Sequence, residues 1–177
     1  AKRLFRHHIS NKWGVYVITL FPNSIETDVV LDSFIPCDVT TLLPIFSRCT
    51  GTELWVSLVE KAIAKLSASY AALSSSLISM ENVLFLLTGA PVLFLETSSS
   101  PSSLASQTWI SLSNHRKRGG FPVCCTIKDS TPATADKAIQ LGLIPNLWYS
   151  LIELKEYCSH RLVKLRSPLS GVSWTGE

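Results

Sequence analysis

The stretch TELWVSLVEKAIAKLSASYAAL, residues 52–73, decides how the rest of the chain is read. Leu54, Trp55, Leu58, Val59, Ala62, Leu66, Tyr70 and Leu73 recur at spacings of one, three or four, the period of a helix with one broad apolar face. Thr52 stands where a hydroxyl N-cap belongs, and Ser74-Ser75-Ser76 ends the pattern. Trp55 and Tyr70 fall within the stripe, so they read as core aromatics rather than as a ligand box. Upstream, residues 12–21 alternate through Trp13, Val15, Val17, Thr19 and Phe21. Pro22-Asn23-Ser24 is a turn signal, and residues 26–34 form a second β-rich run, so the two runs are expected to pair as a hairpin. Residues 36–44 are a loop with proline at each end. Downstream, residues 80–87 predict a short apolar helix closed by Gly89 and Pro91. Residues 97–103, TSSSPSS, read as a surface loop or linker. Residues 104–118 predict a helix, and 122–127, 147–154 and 161–166 predict strands. This order points to an α+β fold with antiparallel strands rather than a wound parallel sheet.

Composition narrows the function classes. The chain has 177 residues, 46% hydrophobic and 16% charged, with 5 Trp, 7 Phe and 4 Tyr. That is a foldable core, and it excludes a disordered tail or a collagen-like repeat. A net charge of +3 argues for no nucleic-acid partner. The longest strongly apolar stretch, residues 83–87, is far below the roughly 20 residues that span a bilayer, and no secretory signal pattern opens the sequence. A first residue of Ala1, a single methionine at Met80 and an end at Trp174-Thr175-Gly176-Glu177 lead to the expectation of an excerpt from a longer polypeptide or of an incomplete gene product.

Cys37, Cys49, Cys124, Cys125 and Cys158 are odd in number and form no C-x-x-C. Neither a disulfide framework nor a zinc site is expected, and a reducing, intracellular (cytoplasmic) location follows from that usage. Adjacent Cys124 and Cys125 would face opposite sides of a strand, one of them buried as a small hydrophobe. The sequence carries no G-x-G-x-x-G, P-loop, G-x-S-x-G or H-E-x-x-H.

Several segments together resemble the calpain family of cysteine endopeptidases. They are Phe34-Ile35-Pro36-Cys37-Asp38, Phe46, the run from Glu53 to Leu66 and Ser69-Tyr70-Ala71-Ala72-Leu73. Thr88-Gly89-Ala90-Pro91 is similar to the LTGAP that opens the family's second core subdomain. Leu141-Gly142-Leu143-Ile144-Pro145-Asn146 with Tyr149-Ser150 stands where the family reads GL-x-P-x-HAYS. Residues 161–168, RLVKLRSP, stand for its RLLKLRNPWG, and Ser173-Trp174-Thr175-Gly176-Glu177 for a following Trp-Ser-Gly element. The small-optic-lobes (calpain-15) branch has the nearest pattern. The resemblance implies a papain-like α+β cysteine peptidase fold, present in part. Residues 1–87 would be the later part of the first core subdomain, and residues 88–177 the early part of the second, incomplete at its C-terminus.

The resemblance also implies what the chemistry requires. Papain-like catalysis needs a thiolate, an imidazole and an orienting carboxamide. A thiol of pKa near ~8.5 is brought to roughly 3–4 by a His⁺ partner, and the His then protonates the leaving amine. The family's Gly-(Asp/Ser)-Cys-Trp segment does not occur in residues 1–177. Its HAYS histidine position holds Leu147, followed by Trp148, and its NPWG asparagine position holds Ser167, followed by Pro168 and Leu169. Leucine neither titrates nor donates a hydrogen bond, and serine is shorter than the carboxamide. Conventional members place a calcium-ligating Glu in SYEAL, where this chain has Ala71, and no acidic cluster replaces it.

The expected function is therefore that of a calpain-like endopeptidase domain, a family of intracellular limited proteolysis that is often calcium-dependent, here catalytically inactive. Two alternatives are an active calpain-type endopeptidase whose nucleophile lies upstream of Ala1, and a non-enzymatic protein-interaction module. Partners are then a protein or a polypeptide substrate, and no cofactor is expected. Cys37 and Cys125 read as ordinary thiols, His160 as a polar turn residue and His7-His8 as an exposed pair without a role. His115-Arg116-Lys117-Arg118 reads as a solvated cationic helix end favoured by the macrodipole rather than as a site for phosphate or anionic lipid. Trp148 would enter the cleft and fill it.

Overall fold

A computed structural model describes residues 4–5, 13–48, 53–74, 79–95, 102–117, 124–127, 131–169 and 174–175. The chain divides into two compact units, Ala1–Phe94 and Leu95–Glu177. The secondary structure is α+β, with two small antiparallel sheets.

In the first unit, β1 (Val15–Leu20) and β2 (Thr27–Asp32) form the expected hairpin, in register from Val15↔Asp32 to Leu20↔Thr27. A short 3-10 turn, Pro22–Ser24, joins them, with Asn23 and Ser24 both at positive φ. Asparagine tolerates that conformation better than most residues. Every second residue of β2 turns inward. Val29 and Leu31 are buried while Asp28, Val30 and Asp32 are exposed. Ile18, Leu20, Val29 and Leu31 then meet Leu58, Val59, Ala62 and Ile63 of α1 (Trp55–Leu66) to make the core. Thr19, on the other face of β1, is also fully buried, and its hydroxyl donates to Asp28 Oδ1 at 2.7 Å.

The single long helix expected over 52–73 is two helices. α1 ends at Leu66, Ala68 takes φ +71, and α2 (Tyr70–Ser74) starts on a new axis. A stripe drawn on one continuous helix is therefore out of phase. Leu54, Trp55 and Leu66, expected in the core, are 45%, 49% and 39% exposed, while Ile63 and the unexpected Ser57 are buried. The N-cap position is Leu54, without a side-chain cap bond. The helix begins at Trp55, and Thr52, the expected cap, lies outside the described residues. Tyr70 is half-buried and stacks on Phe46 with ring centroids 4.5 Å apart.

The loop after β2 is held to α1 by polar contacts. Glu60 accepts from both the amide and the hydroxyl of Ser47, at 3.0 and 2.6 Å, and the Ser57 hydroxyl donates to the Ser47 carbonyl. Asp38 Oδ1 accepts from the Thr40 and Thr41 amides and the Thr41 hydroxyl. These bonds hold its carboxyl below the ordinary 3.8, the Thr41 amide contributing most. α3 (Met80–Thr88) is capped by the Ser79 hydroxyl and closed by Gly89 in the left-handed region. The Leu86 carbonyl accepts from the Phe21 amide at 2.8 Å, tying α3 to the hairpin.

Asp32 carries a pH prediction. The Lys61 ammonium donates to its Oδ1 at 2.5 Å and lowers the carboxyl below 3.8, helped by the Phe34 amide. A depressed carboxyl stabilises the fold above its unfolded value, and that contribution is lost as pH falls through the folded value. Asp32→Asn is thus expected to lower the urea midpoint at pH 7, and the gap from wild type should close as pH drops below 3.8. A gap that stays constant into acid would show that the ion pair contributes nothing.

In the second unit, α4 (Ser102–Lys117) precedes a three-stranded sheet of order β3-β4-β5, made of Cys124–Cys125, Tyr149–Tyr157 and His160–Arg166. Most of the expected 97–103 loop lies outside the described residues. α5 (Pro132–Gln140), which the apolar periodicity did not announce, is capped by the Thr131 hydroxyl with Pro132 in its first turn. β4 and β5 turn through Cys158 and Ser159, both at positive φ, the mirror-type geometry of a two-residue hairpin loop. The Arg116 guanidinium donates to the carbonyl of Ile152, the extra residue of a bulge in β4. Arg161 lies 5.8 Å over the Trp109 ring and donates to the Ser106 hydroxyl at 3.0 Å. Arg116, in the basic run, is thus engaged in packing α4 on the hairpin. No helix among the described residues is long and apolar enough to cross a membrane.

Candidate active site

The positions read as the family's histidine and asparagine lie twenty residues apart in sequence, and the β4–β5 ladder brings them to one end of the sheet. The last pair of that ladder is Ser150↔Arg166. Leu147 stands two residues before the start of β4, and Ser167 follows the end of β5 directly. Because the strands are antiparallel, the start of one and the end of the other share an edge. β3 closes the same end, with Cys125 paired to Tyr149.

The loop that delivers Leu147 is fastened at several points. Gly142 takes φ +77 at the end of α5, and the Leu143 amide donates to the Ala138 carbonyl at 2.9 Å. The Ile144 amide donates to Tyr149 Oη at 2.9 Å, and the Asn146 amide to the Ile127 carbonyl at 2.8 Å. Tyr149 is 3% exposed, so its hydroxyl holds the loop from beneath. Thr175 fastens the other side, its amide donating to the Leu141 carbonyl and its hydroxyl to the Gln140 carbonyl. In the sequence, Tyr149 and Thr175 stand only as members of the motifs that contain them. The one available signal was a tyrosine at the first residue of an inward-facing strand, where a buried phenol needs a partner.

At the two positions the chemistry is sparse. Leu147 and Trp148 are half-buried. The Ser167 oxygen accepts from the Leu169 amide at 3.1 Å, a local turn contact. Neither side chain at 147 or 167 moves a proton near neutral pH. His160, weighed as a replacement base, lies at the far end of β5 from Ser167, a separation of about 20 Å at the rise of an extended strand. His115 stands in the last turn of α4. His7, His8, Cys49 and Arg118 lie outside the described residues. Cys37 and Cys158 are exposed, and Cys125 is half-buried.

Ala71 in α2 offers no side-chain oxygen. Among the described residues, no three His, Cys, Asp or Glu side chains gather as metal ligands.

The whole chain can be placed by comparison with known proteins. The sequence pattern of the calpain family cysteine protease domain matches residues 2–177. The calpain-type cysteine protease DEK1 of Arabidopsis thaliana is 30% identical over 171 residues, 94% of this chain and 8% of that protein. Calpain-7 of Homo sapiens is 27% identical over 169 residues, covering 94% and 20%. Calpain-8 of Rattus norvegicus is 31% identical over 169 residues, covering 92% and 23%. The chain thus spans less than a quarter of the length of these relatives, and the matches speak for the family rather than for one branch of it. With a protease-domain pattern running from one end of the sequence to the other, the chain belongs to the calpain family of cysteine proteases.

Proposed function

We propose that this chain is a degenerate, papain-like calpain core that carries out no peptide hydrolysis and serves as a structural or protein-binding module inside the cell. In this reading residues 1–87 correspond to the later part of the first core subdomain and residues 88–177 to the early part of the second. The observation that carries it is the pair Leu147 and Ser167, at one end of a shared sheet where the family's imidazole and carboxamide belong. Without the imidazole a thiol has no local partner to ionise it, and the leaving amine has no proton donor. Removing one member of a nucleophile–base unit costs on the order of 10⁶ in kcat in a serine peptidase, and a Cys-His unit works by the same coupling. Trp148, beside Leu147, fills space that a substrate chain would need.

The test is a peptidase assay of the full-length gene product on an unfolded protein substrate, with and without calcium. The expected result is no turnover above the buffer blank in either condition. Turnover abolished by a thiol alkylator would overturn the proposal and establish an active endopeptidase whose nucleophile and base lie elsewhere.

A further inference from the structure

Among the described residues, the outer edge of β2 faces a pair of lysines rather than another strand. The Thr19 amide donates away from β2, to the Leu4 carbonyl at 3.0 Å. The odd residues of β1 therefore point their backbone groups outward, and so do their ladder partners Asp28, Val30 and Asp32. On that outer edge Lys65 Nζ donates to the Val30 carbonyl at 2.8 Å. Lys61 Nζ donates to the Asp32 carbonyl at 3.2 Å and the Phe34 carbonyl at 2.5 Å, besides its contact with the Asp32 carboxylate. The spacing is a match of periods. Four residues of helix rise about 6 Å and two residues of strand about 6.8 Å, so lysines four apart on α1 reach alternate outward carbonyls of an antiparallel strand. An open groove of about 510 Å³, lined by Val30, Asp32, Lys61, Lys65, Ser69 and Tyr70, runs beside this edge. An extended chain thus has access to the edge once the lysines are gone.

We propose that Lys61 and Lys65 form a guard that keeps β2 closed to strand addition by a second copy of this chain. An unpaired edge is a template for such pairing, and lysine is a common means of blocking it. Here the ammonium groups occupy the very carbonyls that an incoming strand would need, and their charge leaves no apolar edge to match. The guard is independent of catalysis.

The test compares wild type with Lys61→Met/Lys65→Met and Lys61→Arg/Lys65→Arg in the full chain, at a salt concentration that screens Asp28 and Asp32. Sedimentation and amide hydrogen exchange are read at matched concentrations. The Met pair is expected to keep its fold and associate as concentration rises, with exchange at the Val30 and Asp32 amides slowing at least about tenfold on association. The Arg pair, which keeps donors and charge, should sediment as wild type. A folded Met pair that sediments as wild type overturns the proposal, as does association without protection of those two amides. A Met pair that melts also overturns it, because the lysines would then hold the fold rather than the edge.

Discussion

Ile18→Ala is expected to unfold the first unit at temperatures where wild type is intact. Ile18 is fully buried between the hairpin and α1, in contact range of the Leu58, Val59, Ala62 and Ile63 face. Truncation removes three carbons from a site walled by the sheet on one side and the helix on the other. Such walls collapse only partially, so the cost is the transfer term plus a cavity term, about 2–5 kcal/mol. A domain stable by about 5–15 kcal/mol loses a large share of its stability. For a unit of this size, Tm should fall by at least about 10 °C. Ile18→Val, with one carbon removed, is the control at about 0.5–1.5 kcal/mol. A thermal melt of both variants decides. Equal small shifts would mean that the hairpin and α1 are not packed as described.

Gly89→Ala is the second large effect, and two independent causes add. Gly89 ends α3 at φ +67, where an L side chain costs about 1–2 kcal/mol. A Cβ placed there would also lie 2.9 Å from Cγ and Cδ1 of Phe21 and 3.1 Å from its Cβ. Phe21 is 5% exposed, so its ring has no open space to take. Forcing the ring aside adds about 1–3 kcal/mol. The total expected loss is about 2–5 kcal/mol by denaturant midpoint. A double-mutant cycle separates the causes. In a Phe21→Ala background, which removes the ring but keeps the Cβ at 3.1 Å, Gly89→Ala should cost less by the ring's share and retain the backbone part, about 1–2 kcal/mol, with the remaining Cβ approach. An unchanged cost in that background would remove the steric explanation.

Much of the architecture is legible in the sequence. The alternation around Pro22-Asn23-Ser24 located the β1–β2 hairpin, and Gly89 located the end of α3, because turns and caps are set by a few neighbouring residues. The break at Ser67-Ala68-Ser69 was not legible. No glycine or proline marks it, and a non-glycine residue at positive φ is held there by surrounding structure. α5 announced itself only by Thr131-Pro132. With Ala138 as its sole buried residue, it has no apolar period to read. The Cys158–Ser159 turn likewise lacks the Asn-Gly signature that such a turn favours.

The sequence by itself determined which side chains stand at 147 and 167, and with them the absence of an exchangeable proton at the first and of a carboxamide at the second, since ionisation belongs to the side chain wherever it sits. It also established the family, through motifs readable as local strings. Only the tertiary structure decided that Leu147 and Ser167 share one end of a sheet, that Gly89 must lack a Cβ because of Phe21, and that Lys61 and Lys65 close the edge of β2. Each of these depends on a register or a close approach between residues twenty or more apart. Such contacts are settled by the packing of the whole unit, and no local window of sequence contains them.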